Sequence, residues 1–375
     1  MESIDAALVR LLAGDASTLP SDLAEAYSVN CIAERIEYHG IAYFLYQQDI
    51  LVPKALHKLI RQTVHLQGLW EISHREALAP LFGLLRARGV ESIVTKGTAL
   101  AYSIYDDPAM RRRGDTDLLV RRRQLQPARQ ALREGGWQRL TSKIGQTYQE
   151  VWRRDTGMGF THDIDLHWNV VDSPLLQQVL DVEAMITRRQ PLPALHEHAH
   201  AVDPVLGMLQ GFINQTWHFN FGYEFMGRSI AGVRRLIWDM DNHLQARAFT
   251  PNQWAELQDI ASLQGMAPVC RTCLYSARDR LGTPLPAHIT RWLDTATQET
   301  PVSRYLSCKE TQDAFWMDLA AIENPWRKAA FAMRRLFPSP DQLRERYGVT
   351  EGRAMPDLYL KRLGSLGRRL LASGR

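Results

Sequence analysis

Apolar side chains recur at helical spacing along the first part of the chain. Over residues 21–48 and 53–89 they repeat at i, i+3 and i+4, which predicts amphipathic helices. Gly89 ends the second stretch, at the position where a glycine commonly terminates a helix. Residues 1–75 are therefore predicted to form a helical N-terminal region, whose last helix continues into the next region.

The spacing then changes to that of strands. Residues 90–97 are a short apolar run rich in β-branched side chains, and residues 115–120 read DTDLLV and end in aliphatics. Both patterns predict strands. Helical spacing over 98–105, with Thr98 as the expected N-cap, and over 123–136 predicts one helix after each strand.

A run of strand-like segments follows the second of these helices. It covers residues 137–140, 146–154 and 159–170, and residues 155–159 carry the glycines of a tight turn. Helices and strands thus alternate before the strands accumulate. This order predicts a compact unit of mixed sheet and helices over residues 76–172.

Helical spacing returns after residue 172 and dominates towards the C-terminus. The clearest segments are 203–217, 229–247 and 251–265. The predicted fold class is therefore α+β. A small mixed β-sheet core with helices, residues 76–172, is flanked by helical regions at 1–75 and 173–375.

Composition and charge narrow the class of protein. Hydrophobic residues make up 45% and charged residues 23% of the 375 residues, which is typical of a folded globular protein. The net charge of +4 is too small to indicate a nucleic-acid-binding protein by itself. The sequence shows no signal-peptide pattern, and no apolar run reaches the roughly 18 residues of a membrane span. We therefore expect a cytoplasmic protein without transmembrane segments, whose four cysteines are reduced thiols.

Asp115 and Asp117 open the second predicted strand. Side chains two residues apart on a strand point to the same face, about 6.6 Å apart along the backbone. Two carboxylates this close repel each other unless a cation lies between them, and Mg²⁺ is a hard cation that suits carboxylate oxygens. The two acids therefore indicate a magnesium site, or else an exposed edge strand whose acids face water.

Lys96, Gly97 and Thr98 stand where the first predicted strand meets the following helix. Glycine lets a phosphate approach the backbone, and the N–H groups at the start of a helix attract anions. The junction therefore indicates a phosphate site, although a strand-glycine-helix junction alone is a common pattern. Lys96 either neutralises a triphosphate or covers the sheet with its aliphatic stem.

A third carboxylate comes from the last predicted strand. Asp163, Asp165 and His167 alternate along this strand and share one face. Two acids that hold metal ions and a third that completes the site are the arrangement of two-metal phosphoryl transfer. The alternative is a polar strand face in water. His167 either orients a carboxylate or bonds to a neighbouring strand or helix.

Together these pieces resemble a known family. The segment KGTALAYSIYDDPAMRRRGDTDLLV, followed by IDLHW, is similar to the bacterial nucleotidyltransferase-like family of the DNA polymerase β superfold. The matching residues are Lys96, Gly97, Tyr105, Pro108, Arg111, Gly114, Asp115, Asp117, Asp165, Leu166, His167 and Trp168. The likeness is strong over this core and weaker through the helical C-terminal half.

The resemblance implies roles for the matched residues. Asp115, Asp117 and Asp165 would be catalytic and would bind Mg²⁺ in a two-metal site, with Asp165 also acting as general base for an acceptor hydroxyl. The residues implied to bind the nucleotide are Lys96, Gly97, Thr98 and Arg111. Arg111 either contacts phosphate or pins its loop to the sheet, and the two arginines after it receive no role.

The activity that the resemblance implies is a transferase activity. An NMP group would move from a nucleoside triphosphate to a hydroxyl acceptor, which is a small molecule or a macromolecule. Nucleic acid is a possible acceptor that the scattered arginines do not specifically indicate. The alternative is a catalytically silent module of the same fold that binds or regulates a partner.

Two further groups of residues have both a structural and a chemical interpretation. Cys270 and Cys273 form a lone CxxC pair, which either packs in a core or takes part in metal or redox chemistry. His196, His198 and His200 alternate in a segment that is either a solvated loop or a transition-metal site.

Two features of the helical C-terminal half are equally open. His218 either faces a cleft or is an interior histidine with satisfied hydrogen bonds. The basic segment 358–375 is either a surface helix with a frayed tail or a contact for an anionic membrane or nucleic acid. None of these features identifies the acceptor.

Overall fold

The computed structural model describes most of the chain. The described residues are 3–48, 50–140, 148–157, 159–308, 311–337, 343, 357–360 and 362. The basic segment 358–375 lies outside them, apart from residues 358–360 and 362. Within the described residues, no helix combines the length and the apolarity needed to cross a bilayer.

The N-terminal region is helical, as predicted. Its helices are α1 (Ile4–Ala13), α2 (Ser21–Ala26), α3 (Val29–His39), α4 (Ala42–Gln47) and α5 (Lys54–Ala87). Helix α5 runs for 34 residues, and Gly89 follows it with a left-handed φ of 64°. This conformation costs glycine little, so the predicted end of the helix is confirmed.

A mixed sheet of seven strands lies at the centre of the described structure. Its strands are β1 (Ser92–Thr95), β2 (Asp115–Val120), β3 (Gln138–Arg139), β4 (Gln149–Asp155), β5 (Thr161–His167), β6 (Gln190–Pro191) and β7 (His200–Ala201). The spatial order is β3-β4-β5-β2-β1-β7-β6. Strand β2 is parallel to β5 and β1 is parallel to β7, whereas the other neighbours are antiparallel. The predicted α+β class with a mixed sheet is confirmed.

The sheet also differs from the prediction in two respects. The two-residue strands β6 and β7 extend it beyond residue 172, so His200 lies in a strand and not in a loop. The predicted strand 137–140 is reduced to the two residues of β3. The predicted division of the chain at residue 172 stays a prediction.

Two helices flank the sheet within the core. They are α6 (Lys96–Ser103) and α7 (Leu125–Glu134), and short 3-10 turns lie at Pro108–Met110 and Arg122–Gln124. Helix α6 begins two residues earlier than predicted, because Lys96 turns the chain with a left-handed φ of 54°. Thr95 is therefore the N-cap residue, and the prediction of Thr98 in that position is wrong.

The C-terminal half is mainly helical, as predicted. Its elements are α8 (Pro174–Gln177), α9 (Val182–Thr187), α10 (Pro204–Phe221), β8 (Tyr223–Phe225), β9 (Arg228–Ile230), α11 (Leu236–Ala248), α12 (Pro251–Leu263), α13 (Ala267–Leu281), α14 (Ala287–Thr295), α15 (Pro301–Ser307), α16 (Thr311–Ala321) and α17 (Pro325–Leu336). The helix predicted over 229–247 begins only at Leu236. The start of that segment is occupied by strand β9 and by Gly232, which has a φ of 75°. Neither backbone conformation is helical.

The alternation of side chains along the central strands divides the core into two layers. On one face, Leu118 and Ile164 pack with α5 and α7. On the other, Ile93 and Leu119 pack with the C-terminal helices, including Met185 of α9 and Leu209 of α10. A third cluster joins the N-terminal helices to α11. Both helical regions are therefore part of the scaffold around the sheet.

Candidate active site

Four carboxylates project from one face of the sheet. The parallel pairing of β2 with β5 sets Asp115 opposite Asp163 and Asp117 opposite Asp165. Residues that alternate along a strand, and their partners across the ladder, share a face. The C-terminal helices pack on this same face at Leu119, two residues after Asp117. The acids therefore lie beside the part of the face on which those helices pack.

Asp117 is the buried centre of this group, with 8% of its side chain exposed. Its Oδ1 accepts hydrogen bonds from Lys96 Nζ at 2.5 Å and from His167 Nε2 at 2.9 Å. Burial alone would raise the pKa of Asp117, but the Lys96 charge and the His167 hydrogen bond lower it below its ordinary value. Asp117 is therefore ionised at neutral pH.

His167 holds this carboxylate from the neighbouring strand. Burial lowers the pKa of His167 below its ordinary value, so the imidazole is neutral and donates from Nε2 to Asp117. Its buried Nδ1 has no hydrogen-bond partner among the described residues. This one hydrogen bond fits both interpretations of His167, because the carboxylate that it orients lies on the neighbouring strand β2.

Asp165 completes a cluster suited to a divalent ion. Its Oδ2 accepts a hydrogen bond from Gln149 Nε2 at 2.9 Å. One ligand atom each from Asp117, Asp165 and His167 lies within 4.8 Å of the others, and we call these three residues the Asp-His cluster. Carboxylate oxygens at this spacing suit Mg²⁺ or Mn²⁺, so the residues present fit the predicted metal.

The two outer acids have different surroundings. Asp115 is exposed at the start of β2 and lies outside the Asp-His cluster, so its role as a metal ligand stays a prediction. Asp163 accepts two hydrogen bonds of 2.7 Å from Arg153 of β4. This bidentate ion pair accounts for Asp163 without a catalytic role.

Lys96 connects the predicted phosphate site at the start of α6 to the acids, because its side chain reaches Asp117. It follows Thr95, which pairs with Asp117 across the β1–β2 ladder, and its left-handed backbone begins α6 directly. Burial alone would lower the pKa of Lys96, but the Asp117, Asp115 and Asp165 charges raise it above its ordinary value. The ammonium is thus held charged over the acids.

Gly97 and Thr98 lie against the arginine loop, residues 111–113. A Cβ on Gly97 would lie 3.5 Å from Arg113 Cβ and 3.6 Å from Arg111 Cζ, which is ordinary contact. The buried Thr98 hydroxyl accepts from Arg113 Nε at 3.1 Å and donates to the Asp115 carbonyl at 3.3 Å. The Thr98 side chain therefore ties α6 to β2, and the N–H groups of the first turn of α6 are what remains for phosphate.

Arg111 is committed to an ion pair inside the protein. Its Nε and Nη2 bind the two carboxylate oxygens of Asp241 on α11 at 2.7 and 2.8 Å, and both side chains are buried. Tyr105 donates a further hydrogen bond of 2.6 Å to Asp241 Oδ1. The structure thus shows Arg111 pinning its loop, although to α11 and not to the sheet.

The other two arginines of the loop also bind carboxylates. Arg112 pairs with Glu37 of α3 at 2.6 Å. Arg113 pairs with Glu71 of α5 at 2.7 Å and lies over the Trp70 ring, 5.3 Å from its centroid. Neither role was predictable from the sequence, because both partners lie on helices far from the loop along the chain.

The sequence did not indicate two further residues beside the cluster, Gln149 and Tyr148, and it left the role of His218 open. Gln149 and Tyr148 come from β4 and the residue before it, and the Tyr148 ring lies 5.9 Å from that of His167. His218 of α10 bonds through Nδ1 to the Gly222 carbonyl and stacks on Trp238. Burial lowers the pKa of His218, and the charges of Lys96 and Asp117 also act on it. His218 therefore has its hydrogen bond and its ring contact within the protein, as expected for an interior histidine.

The remaining candidates are structural. Cys270 and Cys273 are fully buried on α13, so their interpretation as core residues is confirmed. His196 stacks on Phe82, and His198 contacts Arg86. Within the part of the chain that the structure describes, the Asp-His cluster is the one group of three or more residues placed to hold a metal ion.

The parallel strands β2 and β5 bring carboxylates together beside the start of α6, an arrangement that also occurs in proteins that transfer phosphoryl groups. Residues 28–282 match the profile of a family described as uncharacterised nucleotidyltransferase. The match spans more than half of the chain, and the protein belongs to this family. Neither the search of curated proteins nor the search of solved structures found a match.

Proposed function

We propose that this protein is a Mg²⁺-dependent nucleotidyltransferase that moves an NMP group from a nucleoside triphosphate to a hydroxyl acceptor. The observation that supports this most is the convergence of Asp117 and Asp165 within the Asp-His cluster, beside the start of α6. Membership of the nucleotidyltransferase family supports the reaction class.

The proposal gives each element of the site a task. Asp117 and Asp165 bind Mg²⁺, and Asp115 extends the site at the exposed start of β2. When bound, the metal neutralises phosphate charge and polarises the acceptor oxygen. Lys96 and the N–H groups of the first turn of α6, at Gly97 and Thr98, bind the triphosphate.

The proposed chemistry is an in-line displacement at the α-phosphorus. The acceptor oxygen forms a bond to this phosphorus while the bond to the bridging oxygen of the β-phosphate breaks, and pyrophosphate leaves. Asp165 accepts the proton of the acceptor hydroxyl, and Gln149 fixes the orientation of that carboxylate. Arg111 supports the loop through Asp241, and a contact of Arg111 with the nucleotide stays a prediction.

Calorimetry tests the proposal directly. ATP, GTP, CTP and UTP are titrated with and without Mg²⁺ into the wild type and the Asp115→Ala/Asp117→Ala variant. We expect magnesium-dependent binding that the double variant loses. Asp163→Ala is the matched control. It also removes a carboxylate from this face, but this carboxylate is paired with Arg153 and has no role in the proposed site. Equal binding by the wild type and the double variant would contradict the proposal.

A second variant separates binding from turnover. Asp165→Asn keeps the size of the side chain but cannot accept the proton, so we expect nucleotide binding to persist while transfer stops. Loss of binding as well would show that Asp165 acts mainly as a metal ligand. The measurement is calorimetry together with pyrophosphate release once an acceptor is found.

One observation favours the alternative, a catalytically silent binding module. Lys96 Nζ binds Asp117 Oδ1, one of the two oxygens that this carboxylate could offer a metal ion. A permanent ion pair there would replace the metal altogether. Nucleotide binding that is strong and independent of Mg²⁺ in the calorimetric experiment would support this second function.

A further inference from the structure

The central carboxylate of the site is already saturated at one oxygen. Asp117 Oδ1 accepts hydrogen bonds from both Lys96 Nζ, at 2.5 Å, and His167 Nε2, at 2.9 Å. A carboxylate oxygen has about two lone pairs. A metal ion that binds Oδ1 must therefore displace one of these donors, and Lys96 is the charged one.

The backbone directs Lys96 to this position. Lys96 and Met226 are the two non-glycine residues with positive φ in the described part of the chain. A left-handed conformation costs a residue with a side chain on the order of 1 kcal/mol or more, and it persists only where surrounding contacts hold it. Here the turn from β1 into α6 sends the lysine side chain back over the acids.

The same residue begins the proposed phosphate site. Lys96 is the first residue of α6, directly before Gly97 and Thr98. About a quarter of its side chain is exposed, whereas that of Asp117 is buried. The ammonium therefore lies at the edge of the acids, next to the place where a triphosphate would bring negative charge.

We propose that Lys96 is a resident counter-ion of the Asp-His cluster. A divalent metal displaces the Lys96 ammonium from Asp117, and the ammonium then pairs with a bound triphosphate. This inference rests on the proposed function, because it takes Asp117 as a metal ligand. Metal alone binds weakly, since it must displace an ammonium that is held by the charge of Asp117 and by those of the neighbouring acids. With a triphosphate present, the ammonium moves to phosphate, and each ligand strengthens the binding of the other by the same factor.

Binding of Mn²⁺ alone tests the first part of this inference. Paramagnetic resonance measures free Mn²⁺ in titrations of the wild type and of Lys96→Asn, Lys96→Gly and Lys96→Arg. Asn and Gly tolerate a left-handed backbone and carry no charge, and Arg retains the charge. We expect Asn and Gly to bind Mn²⁺ about tenfold more tightly than the wild type, which lies within the usual range of couplings, and Arg to resemble the wild type.

The Asp117→Asn variant distinguishes the possible failures. If Mn²⁺ binding disappears in Asp117→Asn but is unchanged or weaker in Lys96→Asn and Lys96→Gly, the metal site stands and the counter-ion role of Lys96 is overturned. If Mn²⁺ binds to none of these proteins, or binds equally to Asp117→Asn and the wild type, the proposed function and this inference both fail.

A measurement on the wild type tests the inference without any substitution. A brief pulse of acetic anhydride labels accessible lysines, and mass spectrometry reads the labelled fraction of Lys96. We expect Mn²⁺ alone to increase labelling of Lys96 severalfold, and inorganic triphosphate added with Mn²⁺ to reverse the increase. The exposed Lys54 and Lys58 of α5 are internal controls whose labelling should not change. Labelling of Lys96 that does not respond to Mn²⁺ overturns the proposal.

Discussion

The arginine loop directly precedes strand β2, which supplies Asp117 to the Asp-His cluster, yet the fold uses the charges of the loop and of the cluster differently. Each arginine of the loop binds a carboxylate from a different helix: Asp241 of α11, Glu37 of α3 and Glu71 of α5. Asp117 of β2 and Asp165 of β5 instead converge on each other, and Lys96 pairs with Asp117 at their edge.

This difference separates charges that build the site from charges that act in it. Carboxylates gathered on one face repel each other, and such an arrangement persists where a cation or substrate compensates it. Arginines paired one to one with distant carboxylates fix the position of a loop. The ion pair of Arg111 with Asp241 matches the interpretation in which this arginine pins its loop, and the loop thereby supports the strand of acids that follows it.

The largest expected effect is on activity, at the centre of the Asp-His cluster. Asp117→Asn removes the charge that holds the metal, and we expect transfer to fall at least about a thousandfold, or about 4 kcal/mol of transition-state stabilisation. The fold should remain intact by circular dichroism. The contrast between the Asp-His cluster and the arginine loop fails if Asp117→Asn stays active, or if the Asp163→Asn control loses as much activity.

The second effect is on stability, within the arginine loop. Arg111→Met leaves the buried Asp241 charge without its cation, so we expect the free energy of unfolding to fall by about 3–5 kcal/mol. Arg111→Met/Asp241→Asn should recover part of this loss. Urea unfolding measures both. Lower nucleotide affinity with unchanged stability would instead place Arg111 among the ligand-binding residues.

The third effect is a pH dependence of the free energy of unfolding, which comes from His74, a neighbour of Arg113 in the loop. Burial, aided by the charge of Arg113, lowers the pKa of His74 to about 4, and His74 Nε2 bonds with the Thr116 hydroxyl. Because the unfolded chain binds a proton near pH 6.5 and the folded one only near 4, stability falls as pH is lowered through this window, by on the order of 3 kcal/mol.

His74→Asn tests this share of the pH dependence. The amide does not titrate, so the free energy of unfolding of the variant should vary less between pH 6.5 and 4 than that of the wild type. Urea unfolding at a series of pH values measures the difference. Parallel curves for the two proteins would show that folding does not lower the pKa of His74.

The smallest effect is expected at the most exposed arginine of the loop. Arg112 and Glu37 are both about 30% exposed, and exposed ion pairs contribute less than about 1 kcal/mol. Arg112→Gln should therefore change the free energy of unfolding by no more than this amount, less at high salt. A loss as large as that of Arg111→Met would mean that the loop is fixed as one unit.

Local patterns predicted the parts of the site that lie within single strands. The alternation of Asp115 with Asp117, and of Asp163 with Asp165, gave their shared face, and the structure pairs the two strands in parallel. Strand β2 and helix α5 were predictable because their side-chain spacing is regular over their whole length. The metal and nucleotide roles of these residues remain predictions.

Long-range pairing explains what the sequence could not show. Arg111 and Asp241 are 130 residues apart, and nothing near either residue indicates the other. The helix predicted over 229–247 was misplaced at its start because Gly232 and the β8–β9 hairpin interrupt an apolar spacing that still looks helical. Strand β7 has two residues, which is too short to show any alternation.

That short strand has a consequence for how the protein is made. Val94 of β1 pairs with Ala201 of β7, 107 residues later in the chain (201 − 94). At about 5–20 residues per second, a ribosome needs on the order of 5–20 s to synthesise this interval. During this time β1 has an unpaired edge, which is the kind of surface that other strands and chaperones bind. A segment with no part in the proposed chemistry thus determines when the sheet can close.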